Sequence, residues 1–195
     1  MPVQLQRFSL LLASLLAGAQ VQAQGVKTPA GSIPWSANRP LTVADFQSRP
    51  QPNETHAALT STDIHTGASC HGNAFAGTAR ASFDPTRSWV REPAAITPKL
   101  LRHEQLHFDI AEVYARRLRQ QLAGVRTPCN KLGNTFNQLT EAGYAAWQQA
   151  NDDYDRDTNH GLQAGEQARW EALVRQQLVE LAGFAEEEAS SVSGL

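Results

Sequence analysis

Apolar residues recur at Leu100, Leu101, Ile110, Val113, Tyr114, Leu118 and Leu122, an approximately 3.6-residue period that stops at Gly124. Thr97 can cap such a helix, and Pro98 suits its first position, where the missing N–H costs nothing. The pattern predicts a helix of about 26 residues, roughly 40 Å at about 1.5 Å per residue. Two further helical patterns follow. One covers residues 139–154 through Ala142, Ala145, Ala146 and Ala150; the other covers residues 165–184 through Trp170, Leu173, Val174, Leu178 and Leu181. A polar loop, residues 155–161, separates them. The first half reads differently. Residues 57–64, 74–83 and 89–90 are short β-like runs bounded by Gly, Asp, Pro or Ser, and Ile33, Trp35, Leu41, Val43 and Phe46 suit a short strand and a docking turn. The fold class predicted is α+β: a small antiparallel sheet packed against the long helix and two further helices.

The ends of the chain carry other signals. Arg7 precedes an unbroken apolar and small-residue stretch, residues 8–19, too short to anchor in a bilayer, and Val21-Gln22-Ala23 ends it with residues a signal peptidase accepts. Residues 1–23 are therefore expected to be a signal peptide cut after Ala23, followed by a flexible lead-in, residues 24–32. One domain is expected over residues 33–184, and a disordered acidic tail over 185–195. The destination is the periplasm or the exterior, with no membrane insertion after cleavage. Seventeen Lys and Arg against nineteen Asp and Glu leave a net charge of −2, so there is no basic footprint for nucleic acid or anionic lipid. A monomer is expected. In an oxidising compartment Cys70 and Cys129 read as a disulfide, closing a loop of about 60 residues and worth on the order of 4 kcal/mol. The sharper alternative, Cys70 beside His71 as a zinc ligand, lacks a second cysteine at ligand spacing.

The chemistry concentrates in His103-Glu104-Gln105-Leu106-His107, inside the strongest helix. Histidines four residues apart share one helix face and can reach one zinc ion at about 2.0–2.1 Å. Glu104, rotated by about 100°, is free to act as general base on a water. Ile110 and Tyr114 continue the face of His103, so the pair is expected to point inward, where buried imidazoles need a partner. A third ligand must come from elsewhere, and His56, His65, His71 and His160 compete. His160 is preferred because Gly161 follows it in a polar loop; the other three sit among weak strands, and Glu166, Asp155 and Asp157 are the carboxylate alternatives. Tyr154 could donate to an oxyanion or pack as a core residue. Asp109 could support a ligand histidine or simply be solvated. Arg116, Arg117 and Arg119 read as a solvent face, and Trp35, Trp89, Trp147 and Trp170 as core anchors.

LLRHEQLHFDIAEVYARRL, with WSANRPLTVADF upstream and YDRDTNHGLQAGEQARW downstream, resembles a bacterial family of small secreted proteins of unknown function described as predicted zinc-dependent proteases. The resemblance covers residues 33–181. It implies a zincin-like metallopeptidase with His103, Glu104 and His107 in their usual roles and His160 as third ligand, and it implies no substrate. The separation of His107 from His160 departs from the short HExxHxxGxxH arrangement. A sheet edge along the cleft would suit a peptide or protein substrate, added as an extra strand. The alternatives are a non-catalytic zinc-binding envelope protein and a zinc amidase acting on cell-wall peptides.

Overall fold

The computed structural model describes residue 26 and residues 28–186. The expected signal peptide and the tail beyond residue 186 lie outside the described residues. In chain order the elements are β1 (Ile33–Pro34), β2 (Ala58–Leu59), β3 (Thr62–His71), β4 (Ala74–Phe83), β5 (Trp89–Val90), α1 (Pro98–Ala123), α2 (Thr135–Thr158) and α3 (Ala164–Glu180). The fold is α+β, with one antiparallel sheet in the order β1-β4-β3 and a second made of β2 and β5. Strands β3 and β4 form a hairpin in register from Thr62↔Phe83 to His71↔Ala74, turning at Gly72, whose φ is +61°. The hairpin runs past Ile64, where the apolar alternation ends. Residues 66–71 are small and polar, and their strand conformation comes from the ladder with β4 rather than from their own propensity.

Helix α1 is the spine. The Thr97 hydroxyl accepts from the Leu100 N–H at 3.1 Å, Pro98 opens the helix and Gly124 closes it, as the capping residues predict. The three-stranded sheet packs on one side and α2 and α3 on the other. Small residues on β4 let the sheet approach closely. Ala79 and Ala81 are fully buried, and a Cβ on Gly77 would lie 2.9 Å from the Leu122 side chain. Phe83 fills the centre, 5.2 Å from the Phe46 ring and 6.0 Å from Phe108.

Two differences from the sequence pattern matter. Helix α2 does not stop at Tyr154 but continues through Thr158, so Asp155 and Asp157 are helical and not in a loop. Apolar periodicity is a poor guide there because Tyr154 and Thr158 alone face the core while their neighbours face solvent or the site. The arginines of α1 are not a solvent face either. Arg116 is only 6% exposed; its Nε donates to Glu112 Oε1 at 2.8 Å and its Nη1 to the Leu178 carbonyl at 2.7 Å. Arg119 donates to the same Glu112 oxygen at 2.7 Å and to the Ala79 and Phe184 carbonyls. Arg117 is half-buried over the Tyr114 ring.

Cys70 and Cys129 are bonded, tying the turn end of the β3–β4 hairpin to the connection between α1 and α2. Among the described residues no helix is long and apolar enough to cross a membrane.

Candidate metal centre

His103 and His107 occupy one face of α1, one turn apart, and both rings turn inward. Facing them on α2, Asn151 and Asp155 repeat the same four-residue interval. The two helices therefore mesh a pair of imidazoles with a pair of polar side chains. Nε2 of His103 and Nε2 of His107 each lie 3.1 Å from a single atom, Asp155 Oδ1. Their other ring nitrogens face side-chain amide oxygens. His107 Nδ1 donates to Asn151 Oδ1 at 2.8 Å, and His103 Nδ1 to Gln167 Oε1 at 3.3 Å. An amide oxygen only accepts, so Nδ1 carries a proton; a neutral ring then keeps its lone pair on Nε2, and a protonated ring donates from Nε2 to Asp155. With both rings neutral, two lone pairs and a carboxylate oxygen meet at one point, where either a proton or a cation can lie between them. Among the described residues His103, His107 and Asp155 are the one such group, with ligand atoms all within 4.8 Å of one another. Two imidazoles and a carboxylate are a donor set that zinc accepts, so the residues present fit the ion.

Without an ion, the three groups pair with one another. Burial alone would raise the Asp155 carboxyl, but hydrogen bonds from both histidines outweigh it and hold the group well below the usual carboxylate range. Burial would lower His107, and the bond to Asp155 with the charges of Asp155 and Glu104 reverses that, leaving the ring raised. Glu104, next along the helix, is buried, and its Oε2 accepts from the Thr60 hydroxyl at 2.7 Å. That bond orients one carboxylate oxygen from the link between β2 and β3.

His103, Glu104, His107 and Asp155 open into a cleft of about 640 Å³. Residues 57–62 form one wall, Trp147 and Asn151 another, and His160 and Leu162 part of the rim. Trp147 carries a buried Nε1 with no partner among the described residues.

His160, preferred in sequence as third ligand, stands beside the cluster. It is 54% exposed, and its Nδ1 is 3.5 Å from Asp155 Oδ1, while Asp155 supplies the atom that both α1 histidines meet. His56 is also at this rim, its ring 5.1 Å from that of His160, and not on a remote strand. His65 bonds Ser82 on the sheet, and His71 is exposed at the end of β3. Glu166 and Asp157 turn away, to Arg169 and to Arg169 and Trp170.

Two other readings are corrected. The Tyr154 hydroxyl does not face the cleft; it donates to Gln167 Oε1 at 2.8 Å and approaches the His103 carbonyl at 3.2 Å, and the ring stacks on His103. Burial pushes that hydroxyl far up. It packs against His103 and supports α1 from outside the cleft lining. Asp109 supports neither histidine. Its Oδ1 accepts from Trp35 Nε1 and Gln105 Nε2, both at 2.8 Å, which docks the N-terminal segment on α1. Asn151, Gln167 and Thr60 were missed in sequence. The one usable signal was the four-residue interval of Asn151 and Asp155, matching that of the two histidines.

The family model described as "Bacterial protein of unknown function (DUF922)" matches residues 19–161, and the chain belongs to that family. No curated protein and no solved structure matches the chain. The match ends at Gly161, so Gln167 and the rest of α3 complete the support of His103 from beyond it.

Proposed function

We propose that this member of the family is an exported zinc-dependent metallopeptidase. His103, His107 and Asp155 hold one zinc ion, and Glu104 is the general base. The observation that carries the reading is the convergence of two imidazole lone pairs and one carboxylate oxygen on a single point beside an open cleft. When bound, zinc supplies Lewis acidity and brings the pKa of a water down to about 7. Three protein ligands leave a fourth position towards the cleft, which distinguishes a catalytic zinc from a structural one. The same donor set also suits iron, but a glutamate next to the first histidine of a helical pair, its carboxylate oriented by Thr60, is what hydrolysis requires.

Glu104 takes a proton from the attacking water as the C–O bond forms, and returns it to the leaving amine as the C–N bond breaks. Support for a peptide comes from the cleft wall. Strand β2 pairs with β5 along one edge, and the extended residues 57–62 line the cleft, where a substrate strand can be added. Leu59 and Leu162 are 45% and 70% exposed at that cleft, apolar surface of the kind that marks a binding groove. Export is supported by the disulfide, which persists in oxidising compartments.

The test is metal analysis of the purified chain alongside hydrolysis of unstructured polypeptides, with Glu104→Gln as control. The expected result is about one zinc per chain in both proteins, with hydrolysis reduced on the order of 10²–10⁴-fold in the variant. Zinc in both and hydrolysis in neither would make the ion structural. Cleavage confined to cell-wall peptides would make the enzyme an amidase.

A further inference from the structure

Asn159, His160 and Gly161 are three consecutive left-handed residues, with φ of 47°, 51° and 78°. For a non-glycine side chain such backbone costs on the order of 1 kcal/mol or more, and it persists only where the surroundings over-determine it. The surroundings here do so. The His160 N–H donates to the Asp155 carbonyl at 3.0 Å, Gly161 N–H to the Thr158 hydroxyl at 3.1 Å, and Lys99 Nζ to the Leu162 carbonyl at 3.0 Å. Gly161 sits so close to the metal-centre ring that a Cβ there would lie 3.0–3.1 Å from three atoms of His103. The turn is thereby locked to the ligand helix, and the one side chain it delivers to the cleft rim beside Asp155 is the His160 imidazole.

The cleft needs a hydrogen-bond donor near the reacting carbonyl. Glu104, Asp152 and Asp155 line it as acceptors when ionised, the Tyr154 hydroxyl is committed elsewhere, and the free Trp147 Nε1 lies on the α2 wall, so His160 is the imidazole donor beside Asp155. A ring at 3.5 Å from Asp155 Oδ1 is too far for a strong bond to that oxygen, yet adjacent to any group bound beside it. The His56 ring braces it edge-on at 5.1 Å, and His56 is itself fixed by Glu54 Oε1 at 2.5 Å from Nδ1.

Resting on the peptidase reading above, we propose that His160 is a catalytic residue and not a zinc ligand: its ring N–H donates to the oxyanion that develops on the scissile carbonyl. The backbone turn exists to hold it there.

His160→Asn tests this, because asparagine tolerates the left-handed backbone while its side chain is too short to reach; His160→Gln restores some reach with an amide N–H. Zinc content, kcat and KM on a peptide the wild type cleaves, and affinity for a peptide phosphonate carrying a tetrahedral anion are measured together. The expected result for His160→Asn is unchanged zinc, kcat lower by about 10²–10³-fold with KM within a few-fold, and phosphonate affinity weakened in proportion. His160→Gln recovers part of both losses. Loss of zinc in His160→Asn, or kcat within twofold of wild type, overturns the assignment and leaves the peptidase reading standing. A wild-type chain that holds zinc but neither cleaves peptide nor binds phosphonate overturns both.

Discussion

Helix α1 carries two buried sets of charged side chains. At its N-terminal half His103 and His107 meet Asp155, and five residues beyond His107 a second set begins with Glu112, which takes Arg116 and Arg119. The second set is closed. Glu112 accepts from two guanidiniums, and those guanidiniums also donate to the carbonyls of Leu178, Phe184 and Ala79. The first set is open: its outward nitrogens donate to amides, and its three inward atoms converge beside the cleft. A buried group that completes its own pairing holds the fold together, whereas one that leaves acceptors converging on a point asks for something from outside.

Breaking each set should therefore read out differently. Glu112→Gln leaves two buried guanidiniums facing a neutral amide and should destabilise the fold by about 3–5 kcal/mol, seen as a lower denaturation midpoint, with zinc content of the folded protein unchanged. Asp155→Ala should act first on the metal. Zinc affinity measured by chelator competition should fall by roughly 10³-fold, a share of about 4 kcal/mol in the free energy such sites supply, and metal-free stability should fall as well at neutral pH, where the paired carboxylate is lost. Should Asp155→Ala keep full zinc affinity, the convergence of ligand atoms has been misread.

Next in size are the supports. Asn151→Ala removes the acceptor that fixes His107 and should weaken zinc binding by about 10–100-fold; Gln167→Ala should do the same through His103, although Gln167 lies outside the family match. Gly161→Ala adds a methyl to a φ of +78° against the His103 ring and should cost about 1–3 kcal/mol of stability, with a loss of zinc affinity because the ring must shift.

The smallest effect is a pH dependence at Asp109. Burial raises its carboxyl, outweighing the hydrogen bonds from Trp35 and Gln105. An acid whose folded-state pKa is raised is less stable folded once ionised, so its cost appears as pH rises through the unfolded and then the folded value. Asp109→Asn keeps an acceptor for both donors and should gain stability relative to wild type at neutral pH. The gain should vanish as the pH falls below the ordinary carboxylate range; unfolding curves across pH check this, and a loss of stability at neutral pH would overturn it.

The comparison also explains what could be read in advance. The bounds of α1, β4 and β5, the pairing of Cys70 with Cys129 and the inward turn of His103 and His107 follow from caps, period and compartment, which are local or compositional signals. Asp155 is among the sequence alternatives but not the preferred one, because residues 155–158 carry no apolar period and read as a loop. Their helicity depends on Tyr154 and Thr158 packing against the core, a tertiary effect. The arginines misled for the same reason. Charge on a helix suggests water, and nothing local reveals that the carbonyls of residues 178 and 184 will arrive to take those donors.

Helices α1 and α2 run antiparallel, joined at the end away from the cleft, and the disulfide fastens that joint to the sheet. The arrangement is that of tongs with a riveted pivot: His103 and His107 ride on one jaw and Asp155 on the other. On the reading proposed above, an ion between the tips would span both jaws, so that loading the metal would also set the gap open to a substrate.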